Sequence, residues 1–301
     1  MLDYPSLFAL AAVVDEGSFE RAARTLHVTP SAVSQRIRLL EERVGCALVI
    51  RGQPCVATEM GRRLCQHADR VRLLEYELRA HLPALASDDQ LRVNVPVAVN
   101  ADSLATWFVD AMSAFASQNS VLMQVVVDDE GHTGEWLRNG AVLAAVTAVE
   151  RPAAGCSVQP LGAMRYVAAA SPAFIERYFF KGINAESLLA APSLRFNAKD
   201  ELQQRWAKRL FDRHLELPRH TVPTPHGFVA AALAGLGWSL HPLALIKKHL
   251  DDGSLVELVP DTPLDVSLYW QQARTASTLL EGLTKAVVKV ARAELRPAGN
   301  V

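Results

Sequence analysis

Residues 18–40, SFERAARTLHVTPSAVSQRIRLL, restrict what this chain can fold into more than any other stretch. Ser18 is a favourable N-cap, and Phe19, Ala22, Ala23 and Leu26 fall on one face of the short helix it would start. His27 stands where that helix must end, and histidine is among the few non-glycine residues tolerated at positive φ. Thr29 and Pro30 then restart a helix, a capping hydroxyl followed by proline at the first helical position. Val33, Ile37 and Leu40 recur at helical spacing and face inward, which leaves Ser31, Ser34, Gln35, Arg36 and Arg38 outward. Glutamine and arginine read adenine and guanine edges bidentately, whereas serine and arginine hold phosphates. Turn chemistry and outer-face chemistry therefore agree on a helix-turn-helix that docks on double-stranded DNA through Thr29, Pro30 and the five outward residues. A plain helical hairpin with a solvated face explains only the turn.

The next residues predict a wing. LEERVG, 40–45, closes the second helix on glycine; LVIR, 48–51, reads as a strand, GQP as a turn, and VATEMG, 56–61, as the returning segment. Arg51 and Thr58 are the expected phosphate contacts there. The apolar pattern around AARTLHVTPSAVSQRIRLLEERVG, followed by L-x-x-R and T-E-x-G, resembles the N-terminal domain of the LysR-type transcriptional regulators. That resemblance implies an operator, self-association as a homodimer or homotetramer, and RNA polymerase as a partner.

Composition bears on what else the chain could be. With 301 residues, half of them hydrophobic, it is long enough for two or three packed domains, and its net charge of −1 means that any DNA affinity is local. Residues 18–63 carry eight arginines against four acids, a net +4. LFALAAVV lacks a basic leader and reads as a core helix, and no apolar run approaches the ~18 residues a membrane span needs, so the expected location is cytoplasmic, with no membrane partner. Cys46, Cys55, Cys65 and Cys156 have neither C-x-x-C pairing nor a zinc-like histidine spacing; free thiols are expected, and a redox-sensing regulator is the alternative. There is no G-x-S-x-G elbow, P-loop or H-E-x-x-H, and GLGWSL lacks the third glycine of a dinucleotide loop. Neither an enzyme, a cofactor nor a metal is expected.

Leu64, Ala68, Val71, Leu74, Leu78 and Leu82 step by three or four residues, predicting one long helix over 60–82 whose apolar stripe needs a partner, most naturally its own copy. Packing against its own C-terminal domain is the alternative. Pro83 and ASDDQ, 86–90, supply a hinge. From residue 91 strands and helices alternate, predicting a mainly parallel sheet with a crossover near 148–161. The expected architecture is thus α/β. A winged helix-turn-helix occupies 1–62 and a linker helix and hinge 63–90. A two-lobed effector-binding domain like a periplasmic binding protein follows over 91–301, its first lobe about 91–160 plus a C-terminal part and its second about 161–265.

A cleft between such lobes collects strand ends and helix starts. Asn100, Asp102 and Ser103 follow the first strand and suit a ligand carboxylate, whereas Asp128, Asp129 and Glu130 follow the second and suit an ammonium or guanidinium. Thr147 ends the third strand; Arg195 and Asn197 end LRFN in the second lobe. Asp, Asn and Ser also favour caps and loops without any ligand. VNADSLATWF, LGAMRYVAAASPAFIERYF, AALAGLGWSLHP and LYWQ resemble the ArgP/LysG branch of the LysR-type family, which implies sensing of lysine or arginine and activation of an amino-acid exporter gene. His226, in TPHGF, stands where that branch carries glutamate, so a pH-dependent ligand contact is expected from it.

Overall fold

The structure, a computed structural model, describes residues 3–82, 93–128, 133–274 and 278–297. The chain divides into two compact units, Met1–Asn94 and Val95–Val301. Pro83 and the hinge at 86–90 lie outside the described residues.

The first unit runs α1 (Tyr4–Glu16), α2 (Phe19–Thr25), α3 (Pro30–Val44), β1 (Val49–Ile50), β2 (Val56–Ala57) and α4 (Glu59–His81). Local chemistry sets each boundary. The Ser18 and Thr29 hydroxyls accept from Arg21 N and Ala32 N, His27 takes φ 52°, and Gly45 closes α3 at φ 82°. Val33, Ile37 and Leu40 are almost wholly buried, packing with Leu10, Val13 and Leu48; a fully buried side chain of this size contributes about 1.5–3 kcal/mol. β1 and β2 pair antiparallel, Val49 opposite Ala57, as the wing.

The stripe on α4 is divided between two fates. Ala68 is buried with Leu7 and Ala11 of α1, and Leu64 packs there too. Farther along, Leu74, Leu78 and Leu82 are 60%, 52% and 45% exposed. The 13 residues of α1 span only about 20 Å, so α1 covers the first turns of α4 and no more.

The second unit begins with β3 (Val93–Asn100) and a helix made of α5 (Ala101–Ser103), a π-helical turn at Leu104–Phe108 and α6 (Val109–Ala116). β4 (Val121–Asp128), α7 (Thr133–Arg138), β5 (Ala144–Thr147) and the long β6 (Cys156–Ala170) follow. Next come α8 (Pro172–Phe179), α9 (Ala185–Ala190), β7 (Ser193–Arg195), α10 (Leu202–Phe211), β8 (Arg219–Thr221) and α11 (Pro225–Leu233). β9 (Ser239–Pro242), α12 (Leu243–Asp251), β10 (Val256–Glu257), β11 (Leu264–Ala273) and α13 (Thr278–Glu294) complete it.

The sheet order is β10-β6-β11-β5-β3-β4, and β9 also pairs with β6. The expectation of a mainly parallel sheet fails. β3 and β5 are parallel, but β6 pairs antiparallel with β11, β9 and β10, and β11 pairs antiparallel with β5. The stretch expected to carry the crossover, 148–161, runs into the start of β6 at Cys156. Alternating βαβ units suggest parallel neighbours, but they carry no signal for two long return strands that serve both lobes. In the second lobe β7 and β8 form a small parallel pair, and Trp206 stacks obliquely on Trp238 at 5.3 Å. No described helix is long and apolar enough to cross a membrane.

His241 of β9 is fully buried; Ser239 Oγ lies 2.8 Å from its Nε2 and the edge of Phe228 packs on it. Burial, with a smaller push from His249, depresses its pKa to about 3. Because the unfolded chain then binds the proton more readily, this histidine's contribution to stability is complete above about pH 6.5 and drains away as pH falls toward 3. Acid titration of the thermal midpoint should therefore be shallower for His241→Asn than for the wild type; equal slopes between pH 6.5 and 4 would refute it.

Candidate functional site

Two surfaces gather polar chemistry. On the first unit, Ser31, Gln35 and Arg38 are exposed along α3, with Ser34 and Arg36 half-buried at their flank. Arg38 meets Glu42 at 2.9 Å, a solvated pair that contributes little to stability. The Arg51 guanidinium sits over the Phe19 ring at 5.2 Å, so the wing's cation is held beside the start of α2. Between these elements lies a concavity lined by Ser18, Arg21, Arg24, Pro30, Ser34 and Arg51, among others. Arg21 and Arg24 belong to this basic face although sequence reasoning counted them only as charge. Thr58 is a correction. Its single hydroxyl proton goes to Ala47 O at 2.9 Å and its oxygen accepts from Gly61 N at 3.0 Å, so it caps α4 instead of holding a phosphate.

Two of the four free cysteines, Cys65 and Cys156, offer little to a redox switch. Burial, with Asp15 and Asp69 nearby, pushes the Cys65 thiol up to about 12, and burial raises Cys156 as well, whereas a reactive thiol needs the opposite shift. Among the described residues no cluster of ligating side chains fits a metal ion.

The second surface is a narrow cavity between the lobes of the second unit, about 530 Å³ only when its open mouth is included. Asn100, Asp102 and Asp128 wall it from the first lobe; Asp200, Gln203 and Phe228 face them from the second. No lysine, arginine or histidine is in the wall among the described residues. Tyr166 donates to Asp102 at 2.7 Å, and the Trp136 indole N–H donates to Asp128 at 3.0 Å. Asp200 accepts from Phe196 N at 2.8 Å and Leu202 N at 3.1 Å, which holds its carboxylate at the rim of α10. Two amides are left wanting. Asn100 Oδ1 has no donor, and neither amide atom of Gln203, 1% exposed, has a partner among the described residues. Leaving such groups unmatched costs about 1–3 kcal/mol each, which a polar ligand recovers.

Several expected residues are elsewhere. Ser103 is wholly buried but not in the wall, and Thr147 is buried with its hydroxyl accepting from Val149 N. Arg195 reaches Thr221 Oγ1 at 3.5 Å, and Asn197 turns back to accept from Lys199 N at 2.7 Å. Arg195 ends β7 and Asn197 follows two residues on, but the wall is met by Phe196 between them and by Asp200. His226 is exposed. Pro225 and Phe228, one helical turn apart on α11, point into the cavity, so the residue after Pro225 is rotated about 100° out of it. Asp129 and Glu130 lie outside the described residues. Gln203 was legible in principle: Leu202, Gln203, Trp206 and Ala207 form the buried stripe of α10, and a glutamine in such a stripe signals a polar requirement.

Comparison with known proteins matches both units of the chain. Residues 6–62 match the bacterial regulatory helix-turn-helix proteins of the lysR family, and residues 87–292 match the LysR substrate binding domain. The chain is 45% identical over 290 residues to the HTH-type transcriptional regulator ArgP of Pseudomonas fluorescens, covering 96% of this chain and 97% of that one. The crystal structure of ArgP from Mycobacterium tuberculosis superposes with a TM-score of 0.77 at 44% identity, over 99% of this chain and all of that one. Full-length LysG from Corynebacterium glutamicum with bound effector Arg gives 0.67 at 39% identity, over 98% and 100% of the two chains. An α3 face built for duplex DNA, a wing beside it and a two-lobed domain with a polar cavity are the parts of one kind of regulator, and this chain belongs to the LysR-type family of DNA-binding transcriptional regulators.

Proposed function

We propose that this regulator responds to arginine or lysine bound in the cavity between the lobes and then activates transcription of an amino-acid exporter gene. The observation that carries the reading is the charge of the wall: Asp102, Asp128 and Asp200 with no basic side chain among the described lining residues. A dibasic amino acid brings two cationic groups and one carboxylate. The acids give each cation a partner, and the backbone N–H groups that open the helix at 101–116 receive the carboxylate beside Asn100. The arginine held by the LysG relative supports the same chemistry. Calorimetry of the full chain with arginine, lysine and the neutral isostere citrulline tests it. Arginine or lysine should bind at least tenfold more tightly than citrulline, and Asp128→Asn should remove most of that difference. Citrulline binding as tightly as arginine would overturn the reading.

DNA recognition is assigned to Ser31, Ser34, Gln35 and Arg36, with Arg51 on the phosphates. Arg36→Ala should cost about 1–3 kcal/mol on the operator and relax preference at one base position. Arg51→Ala should weaken all duplexes alike and flatten the salt dependence. Gel-shift titrations at several salt concentrations separate the two; an unchanged operator affinity in both variants refutes the assignment.

Self-association through the distal half of α4 completes the proposal, with RNA polymerase as the further partner. The exposed Leu74, Leu78 and Leu82 need cover that α1 does not reach. Leu78→Asp puts a charge into that seam and should yield monomers by sedimentation with loss of operator binding. A variant that remains dimeric at low concentration puts the contact elsewhere.

A further inference from the structure

Asp102 stands in the first turn of the helix that follows β3 and lines the acidic cavity. An aspartate side chain at such a place has several staggered rotamers open to it. A residue of another strand makes the choice. Tyr166 of β6 donates its hydroxyl proton to Asp102 Oδ2 at 2.7 Å, although the two are 64 positions apart in the chain. Tyr166 is 1% exposed and is not itself in the wall. Its backbone is fixed on both sides, opposite Leu264 of β11 and Pro242 of β9, and Pro242 is in the wall as well. A phenylalanine would fill the same space; what the tyrosine adds is one O–H donor, directed at a cavity acid.

Asp128 is held in a different way. Its donor is the Trp136 indole at 3.0 Å, and Trp136 is half-buried on the cluster around Val142 and Ala145. The two acids thus have separate supports, one on the strand shared by the lobes and one on α7. They also stand at different places in the wall. Asp102 shares the start of the helix at 101–116 with Asn100, whereas Asp128 ends β4. An amino acid whose carboxylate meets that helix start carries its α-ammonium on the adjoining carbon, beside Asp102. Its side-chain cation, at the far end of the molecule, is left to Asp128 and Asp200.

Given the reading of the cavity as an arginine or lysine site, on which this rests, we propose that Tyr166 is a positioning residue for the ligand's α-ammonium. It acts through Asp102 without touching the ligand, so that the Tyr166–Asp102 pair reads the amino group while Asp128 reads the side-chain cation. A carboxylate aimed in advance needs no ordering when the ligand arrives, and loss of the aim is felt as affinity for the one group it serves. The probes are arginine, citrulline and 5-guanidinopentanoate, which is arginine without its amino group. Each is titrated into the full chain by calorimetry, with folding followed by circular dichroism. The wild type should prefer arginine to 5-guanidinopentanoate at least tenfold. Tyr166→Phe should cut that preference about fivefold and the preference over citrulline less than about twofold. In an Asp102→Asn background the same change should no longer alter the first preference, a non-additivity that a merely structural tyrosine does not produce. Citrulline binding as tightly as arginine in the wild type overturns the reading of the cavity, and this inference with it. With arginine preferred, three results overturn the role of Tyr166 alone: an unchanged first preference in Tyr166→Phe, a loss that falls as heavily on the preference over citrulline, or full additivity with Asp102→Asn.

Discussion

The second unit depends on one strand pairing, β6 against β11. Their register runs from Leu264 opposite Tyr166 to Ala273 opposite Cys156, with one irregularity at Leu268/Tyr269. On β11's far side β5 attaches near one end, while β9 and β10 attach to the other end of β6. Both lobes therefore hang from the same two strands, and the gap between them forms where those strands leave one lobe for the other. Tyr166 sits at that point. Its backbone pairs with Leu264 and Pro242, and its hydroxyl holds Asp102 in the cavity wall. Strand pairing thus sets the position of a cavity carboxylate directly.

Electrostatics then gives the cavity its character. Asp128 and Asp200 accept from N–H donors, which orient their oxygens. Such support holds a carboxylate in place at the wall. The buried amides of Asn100 and Gln203 add directional hydrogen-bonding capacity at two opposed points. A cavity of this kind discriminates by charge first and by hydrogen-bond geometry second.

The first unit is organised by shorter-range effects. Its helices begin at side-chain caps and end at a positive-φ turn or a glycine, and its core is filled by residues one or two turns apart. The stacking of Arg51 on Phe19 ties the wing to α2 through a single contact between neighbouring elements. Only α4 looks beyond the unit, because its apolar stripe is longer than the helix that covers it.

What the amino-acid order by itself determined follows from this difference in range. Ser18, His27, Thr29, Pro30 and Gly45 act on residues within a few positions of themselves, so the helix-turn-helix and its outward face could be read directly. The existence of β3, β4, β5 and β9, of the last third of β6, and of helices near 103–116, 133–139, 199–213 and 228–234 was also legible from apolar runs and turn residues. Strand direction was not, because it depends on pairing between residues about a hundred positions apart, as in Arg165 and Asp265. The cavity wall was half legible for the same reason. Asn100 and Asp128 end strands and Asp102 lies in the helix that follows the first, whereas the choice of Asp200 over Asn197, and of Phe228 over His226, depended on how the second lobe folds back. Rotation about a helix axis and the curl of a strand tip decide which neighbouring side chain faces the gap, and packing across the whole domain sets both.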